Sequence, residues 1–173
     1  NKFNPTSFGY PIHGYIGTTN QIKGWEKNWI TCFINLRIEP QLAILKKDFL
    51  ENDIKNKIKS KIEWVLLDHE PIKSLVHGDL WSGNIGVNQM NKGVMFDPAS
   101  WWADSEVDIA MTKLFGNFRS EFYENYHKVI PTKKGFEKRI IIYNFYHILN
   151  HANMFGGSYF NQVQSYIKKI LNM

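Results

Sequence analysis

One cysteine, Cys32, serves the whole chain. It has no partner for an internal disulfide, and its expected role is that of a small buried hydrophobe. No apolar run approaches the length of a membrane span. No signal-peptide pattern stands at the start, so a cytoplasmic, reducing compartment and no membrane partner are expected. Internal repeats and low-complexity linkers are absent too, and 173 residues suit one domain, 1–173. Positive charge is only modestly in excess, +5 overall, and gathers at Lys46, Lys47 and the spaced Lys55, Lys57, Lys59 and Lys61. No aromatic side chain interleaves those lysines. They read as a solvated helix face rather than a basic patch for anionic partners, and no nucleic-acid partner is expected.

Hydrophobic residues make up 43% and aromatics 15% of the chain, enough to exclude disorder and fill a large core. Residues 1–24, rich in Gly, Pro, Asn and Thr, read as an ordered loop pinned by Phe3, Phe8, Tyr10 and Tyr15. Trp25, Trp29, Cys32, Phe33 and Leu36 recur at helical spacing, which predicts a helix over Gly24–Ile38, interrupted at Pro40 and resumed over Gln41–Phe49. Ile54, Ile58, Ile62, Val65 and Leu66 form one stripe of a helix over Asp53–His69, with Asp53 as its N-cap. A strand over Ser74–His77 follows. Ile85–Val87 and Val94–Phe96 flank a turn signal and predict a hairpin. Helices are then expected over Ser105–Phe115, Glu121–Val129, Phe136–Phe155 and Tyr159–Leu171, with Gly156-Gly157 stopping the third. The fold class is mainly α (α+β), helical with a small β-hairpin carrying the chemistry.

The chemistry sits in His77-Gly78-Asp79-Leu80-Trp81-Ser82-Gly83-Asn84, followed by Phe96-Asp97-Pro98. An Asp five residues before an Asn, with a second Asp after a hairpin, is the set phosphotransferases use around a γ-phosphate. Asp79 would hold the attacking hydroxyl and take its proton. Asn84 and Asp97 offer hard oxygens suited to Mg²⁺, and the hairpin would bring them to one metal ion. His77 is expected to order the loop by bonding backbone near Asp97. Gly78 and Gly83 would allow unusual backbone angles or close approach. Trp81 has two readings, core packing or stacking on the acceptor. Glu106 and Asp108 read as salt-bridge or cap residues ahead of direct chemistry, and Trp101 and Trp102 as packing that holds the segment after Asp97, with a border of the acceptor cleft as the alternative for one of them.

Trp81 within His-Gly-Asp-Leu-Trp-x-Gly-Asn, Phe96-Asp97-Pro98-Ala99-Ser100, Asp108-Ile109-Ala110, Leu114-Phe115-Gly116, Gly135-Phe136, Leu149-Asn150-His151 and upstream Ile16-Gly17-Thr18 give the chain a resemblance. It resembles the fructosamine-3-kinase (ketosamine kinase) family, which shares the protein-kinase-like fold with aminoglycoside phosphotransferases and choline kinases. The resemblance runs from about Phe8 to the C-terminus. It implies the C-terminal catalytic lobe of a kinase that uses ATP and Mg²⁺ on a small-molecule or protein-bound ketosamine, a deglycation repair step. It also implies that His151 contacts substrate, against the plainer reading of a core histidine, while His147 stays structural. The family's N-terminal nucleotide-binding lobe has no counterpart here, so low activity of the chain alone is expected. A kinase of aminoglycoside or choline type and a non-catalytic, pseudokinase-like binding fragment are the alternatives. His13-Gly14 and Ala103-Asp104-Ser105 depart from the family's Asp-Asn and Gly-Asp-Arg.

Overall fold

The computed structural model of the chain describes residues 6–46 and 49–173. Phe3, and Lys47 and Asp48 within the second predicted helix, lie outside the described residues. Residues 6–26 are not a loop. They form four three-residue strands, β1 (Phe8–Tyr10), β2 (Gly14–Ile16), β3 (Thr19–Gln21) and β4 (Gly24–Glu26). β2 and β3 make a hairpin, while β1 and β4 pair with each other. Strands this short carry no readable alternation, and Trp25 mimics helical spacing to Trp29 although it sits on β4 opposite Gly9.

The first helix therefore starts at Trp29, where Asn28 Oδ1 accepts from the Thr31 N–H. It runs on without a break at Pro40: α1 (Trp29–Phe33), a π segment (Ile34–Ile38) and α2 (Glu39–Ile44) are contiguous. Pro40 has no N–H to offer Leu36 O, four residues back. The Arg37 guanidinium donates to that carbonyl instead, at 2.8 Å. The widened turn and this donor let the helix pass the proline. α3 (Asn52–Leu66) buries Ile58, Ile62 and Leu66, the expected stripe. Glu51 rather than Asp53 holds its N-cap position, and Asp53 lies in the first turn.

β5 (Lys73–Val76), β6 (Ile85–Val87) and β7 (Gly93–Met95) fall where a strand and a hairpin were expected. β8 (Trp101–Asp104) was not expected, and it is central: the main sheet is antiparallel in the order β4-β1-β8-β5. Sheet structure is thus more than one hairpin. α4 (Glu106–Thr112), α5 (Ser120–Val129), α6 (Phe136–Phe155) and α7 (Tyr159–Leu171) complete the chain. No helix among the described residues is long and apolar enough to cross a membrane.

The core joins sheet to helices through aromatic rings. Trp29 stacks on Trp101 at 5.5 Å, and Phe8, Phe33 and Tyr143 close around it. Each such ring contributes about 3 kcal/mol by leaving water. Beneath them Asp104 is a fully satisfied buried carboxylate. Tyr143 donates to it at 2.8 Å, His69 Nε2 lies 2.6 Å away, and the Ile72 and Glu106 N–H groups donate at 3.3 Å. Trp29 Nε1–H donates to Tyr143 in turn. Glu106 receives Arg139 through two nitrogens, at 2.6 and 2.9 Å.

His147, on the buried face of α6, has neither ring nitrogen bonded among the described residues, and burial lowers its pKa from 6.5 to about 3. A folded pKa below the unfolded one means stability is complete above pH 6.5 and is lost as the pH falls toward 3. The expected slope is about 1.4 kcal/mol per pH unit in that window. In His147→Leu the urea-unfolding free energy should fall less between those limits; a slope equal to wild type would contradict the assignment.

Candidate active site

β5 delivers the chain into the loop at His77. There Asp108, on α4, accepts the His77 N–H at 2.7 Å and the Gly78 N–H at 2.9 Å. These two bonds fix the loop backbone just before Asp79. Asp108 is half-buried, and the loss of water around it raises its pKa, while the two backbone N–H groups oppose the rise. Sequence reasoning offered only a cap or a salt bridge here, because nothing local ties position 108 to position 77.

Asp79 is half-buried. Asn84 Nδ2 donates to its carbonyl at 2.8 Å and to Oδ2 at 3.2 Å. Burial raises the Asp79 pKa; His151, the Asn84 bond and His77 pull it down, and Asp97 pushes it up. The His77 ring spans the loop. Its Nδ1 accepts from the Asp79 N–H at 3.3 Å, and its Nε2–H donates to Phe96 O at 3.0 Å. The hairpin β6–β7 returns to this point, where the Phe96 N–H donates to Asn84 O at 3.1 Å. Asp97 follows with φ +56, a left-handed conformation uncommon outside glycine, and its side chain is exposed.

Both Asn84 Nδ2 bonds point to Asp79, which leaves the Oδ1 of Asn84 to face elsewhere. That oxygen and the exposed Asp97 carboxylate are donors of the kind Mg²⁺ takes. The cluster His69, Asp104 and Glu106 also places three ligand atoms within 4.8 Å of one another. Its donors are already engaged by Tyr143, Arg139 and backbone, so it reads as structural.

Asp79, Trp81 and His151 line one cavity of about 300 Å³ with Ile16, Gly17, Phe115, Asn150, Phe155 and Tyr159. Its walls are aromatic: Phe115 lies 6.2 Å from Trp81 and 4.7 Å from His151, and Tyr159 lies 5.1 Å from His151. His151 Nδ1–H donates to His147 O at 2.8 Å, which fixes Nε2 as the free ring nitrogen. A Cβ at Gly83 would lie 2.3 Å from the Trp81 ring, so only glycine lets that ring fold back over the loop. Phe115, Phe155 and Tyr159 were not singled out as site residues. The reversal at Gly156-Gly157 brings Tyr159 back over His151, and helical spacing gives no sign of it.

A helical body with a short sheet, a loop bearing Asp79 and Asn84, and a hairpin bringing Asp97 alongside make a kinase-like fold. The family model for fructosamine kinase matches residues 2–173. A Vibrio vulnificus protein named "Probable ketoamine kinase" is 44% identical over 165 residues, 95% of this chain and 57% of that protein. The Ketosamine-3-kinase of Mus musculus is 37% identical over 155 residues, 88% of this chain and 50% of its own. A crystal structure from Haemophilus somnus 129PT, provisionally named a fructosamine-3-kinase, superposes with a TM-score of 0.88 at 31% identity, covering 97% of this chain and 58% of that one. The chain belongs to the fructosamine kinase family. It spans a little over half the length of the curated relatives it matches, and the expectation of an absent nucleotide-binding lobe draws no support from matches that run along nearly all of it.

Proposed function

We propose that this chain carries the acceptor and metal residues of a kinase that moves the γ-phosphate of ATP to a hydroxyl of a ketosamine. The observation that carries this reading is the shared cavity of Asp79, Trp81 and His151. A sugar hydroxyl bound there donates to the Asp79 carboxylate and gives up its proton as the oxygen attacks phosphorus. Asn84 holds that carboxylate in place through its 3.2 Å bond. Asn84 Oδ1 and Asp97 would hold Mg²⁺, which neutralises charge on the transferring phosphoryl group. The faces of Trp81, Phe115 and Tyr159 suit the protonated amine of the acceptor, and His151 Nε2 accepts from a neighbouring hydroxyl.

The test is ADP release by the full-length protein with Mg²⁺, ATP and a panel of fructosamine, ribulosamine, choline and an aminoglycoside. Turnover confined to the ketosamines is expected; turnover with choline or the aminoglycoside alone would replace this reading. Trp81→Ala and His151→Ala should each raise the ketosamine KM about tenfold with kcat little changed. Unchanged kinetics would return both side chains to the core.

A further inference from the structure

Arg37 is a buried cation whose charge no neighbour answers. It is 1% exposed, yet among the described residues no carboxylate lies within ion-pair distance of it. Nη1 donates to Ile22 O at 3.2 Å and Leu36 O at 2.8 Å, and the guanidinium sits 4.0 Å from the centroid of the Trp101 ring. Carbonyls and a ring face solvate a charge without neutralising it. The Nε–H has no acceptor among the described residues. Burial pulls the arginine's pKa down, and the groups opposing that are Tyr146 and Cys32, both held protonated by their own burial. An uncompensated buried ion destabilises the fold that holds it. A purely structural arginine would have its N–H groups spent.

The side chain is not sealed in. It lines a cavity of about 290 Å³ with Tyr10, His13, Gly14, Gln21 and Ser100, and no acidic side chain is among the walls. The wall at 98–100 is the segment directly after Asp97. The hydroxyls of Tyr10 and Ser100 add donors to the guanidinium, the composition of an oxyanion cradle. The cavity flanks the β2–β3 hairpin, whose other residues Ile16 and Gly17 line the cavity at Asp79.

We propose that the cavity at Arg37 is an oxyanion subsite, taking one carboxylate or phosphate group beside the segment that follows Asp97. The same chemistry has two sources, the carboxylate of an acceptor formed on a free amino acid and free phosphate. Thermal unfolding of the full-length protein in inorganic phosphate, against chloride at equal ionic strength, tests the site without reference to catalysis. A saturable rise in Tm of about 2–4 °C is expected. Gly14→Asp puts a carboxylate on the cavity wall, where a Cβ meets only Gln21 Oε1 at an ordinary 3.6 Å. It should raise Tm in chloride and abolish the phosphate effect; Arg37→Met should abolish the phosphate effect too, at a lower Tm because the bond to Leu36 O is lost, and should Arg37→Met not fold, Gly14→Asp decides alone. A linear rise shared by wild type and variants is a general salt effect and overturns the site. The source is then read from kcat/KM for a ketosamine of a free amino acid against its carboxamide, an arm that rests on the kinase reading. A preference of about tenfold, lost in Gly14→Asp, assigns the subsite to the acceptor. Equal values alongside a saturable Tm rise assign it to free phosphate.

Discussion

On the proposed kinase reading, Asp79→Asn is expected to lower kcat for ketosamine phosphorylation by about 10³-fold while acceptor and nucleotide still bind. The substitution keeps the shape of the side chain. An Asn at this position still presents an oxygen to Asn84 Nδ2, so the 2.8 and 3.2 Å bonds that set the loop can persist. It removes the group that, on that reading, accepts the hydroxyl proton. Burial holds the Asp79 pKa above its ordinary value. The acid limb of the wild-type rate profile should therefore lie higher than an exposed aspartate would put it, since only the ionised form works as the base. Steady-state kinetics with isothermal titration of each substrate separate lost chemistry from lost binding. A kcat within tenfold of wild type would remove Asp79 from the reaction.

Gly78→Ala should damage both the loop and the sheet beneath it. Gly78 has φ +83, and a Cβ there would lie 2.2 Å from the Ala99 carbonyl oxygen and 2.8 Å from its carbon. Neither atom belongs to a flexible side chain. The His77–Ala99 backbone bond at 2.9 Å holds the two segments together at that point, so relief must part them. Strain at the left-handed angle adds about 1 kcal/mol. A loss of about 2–3 kcal/mol, read as a fall in Tm of about 5–10 °C, is expected. The next residue is Asp79, and misplacing it by an ångström should cost about 10² in kcat. Wild-type Tm and kcat together would mean that the loop absorbs the methyl group elsewhere.

These two residues stood out in the sequence because their chemistry is local. The loop from His77 to Asn84 and the hairpin to Asp97 are contiguous, and turn residues mark the reversal. α6 and α7 were legible to the residue, since a long apolar pattern ends at paired glycines. What stayed hidden depends on distant partners. β8 looks like packing around Trp101 and Trp102 until β1 and β5 are known to flank it. Pro40 looks like a break because the π segment and the Arg37 donor that bridge it have no sequence period. Asp108 holds the loop from thirty positions away. The aromatic wall of the cavity draws on Trp81, on Phe115, and on Phe155 with Tyr159, three separate stretches of chain.

The carboxylate of Asp104 gathers His69, Tyr143 and, through Tyr143, Trp29, partners separated along the chain by 35, 39 and 114 residues. Short-range contacts alone cannot assemble such a junction. Closing it means large loops are shut before the reward of the buried bonds arrives, which slows folding relative to a bundle of neighbouring helices. During synthesis the ribosome must release Tyr143 before the junction can close. Until then Trp29 and the sheet that carries Trp101 lack their cover, and a nascent chain paused before α6 exposes the rings that later form the centre of the molecule.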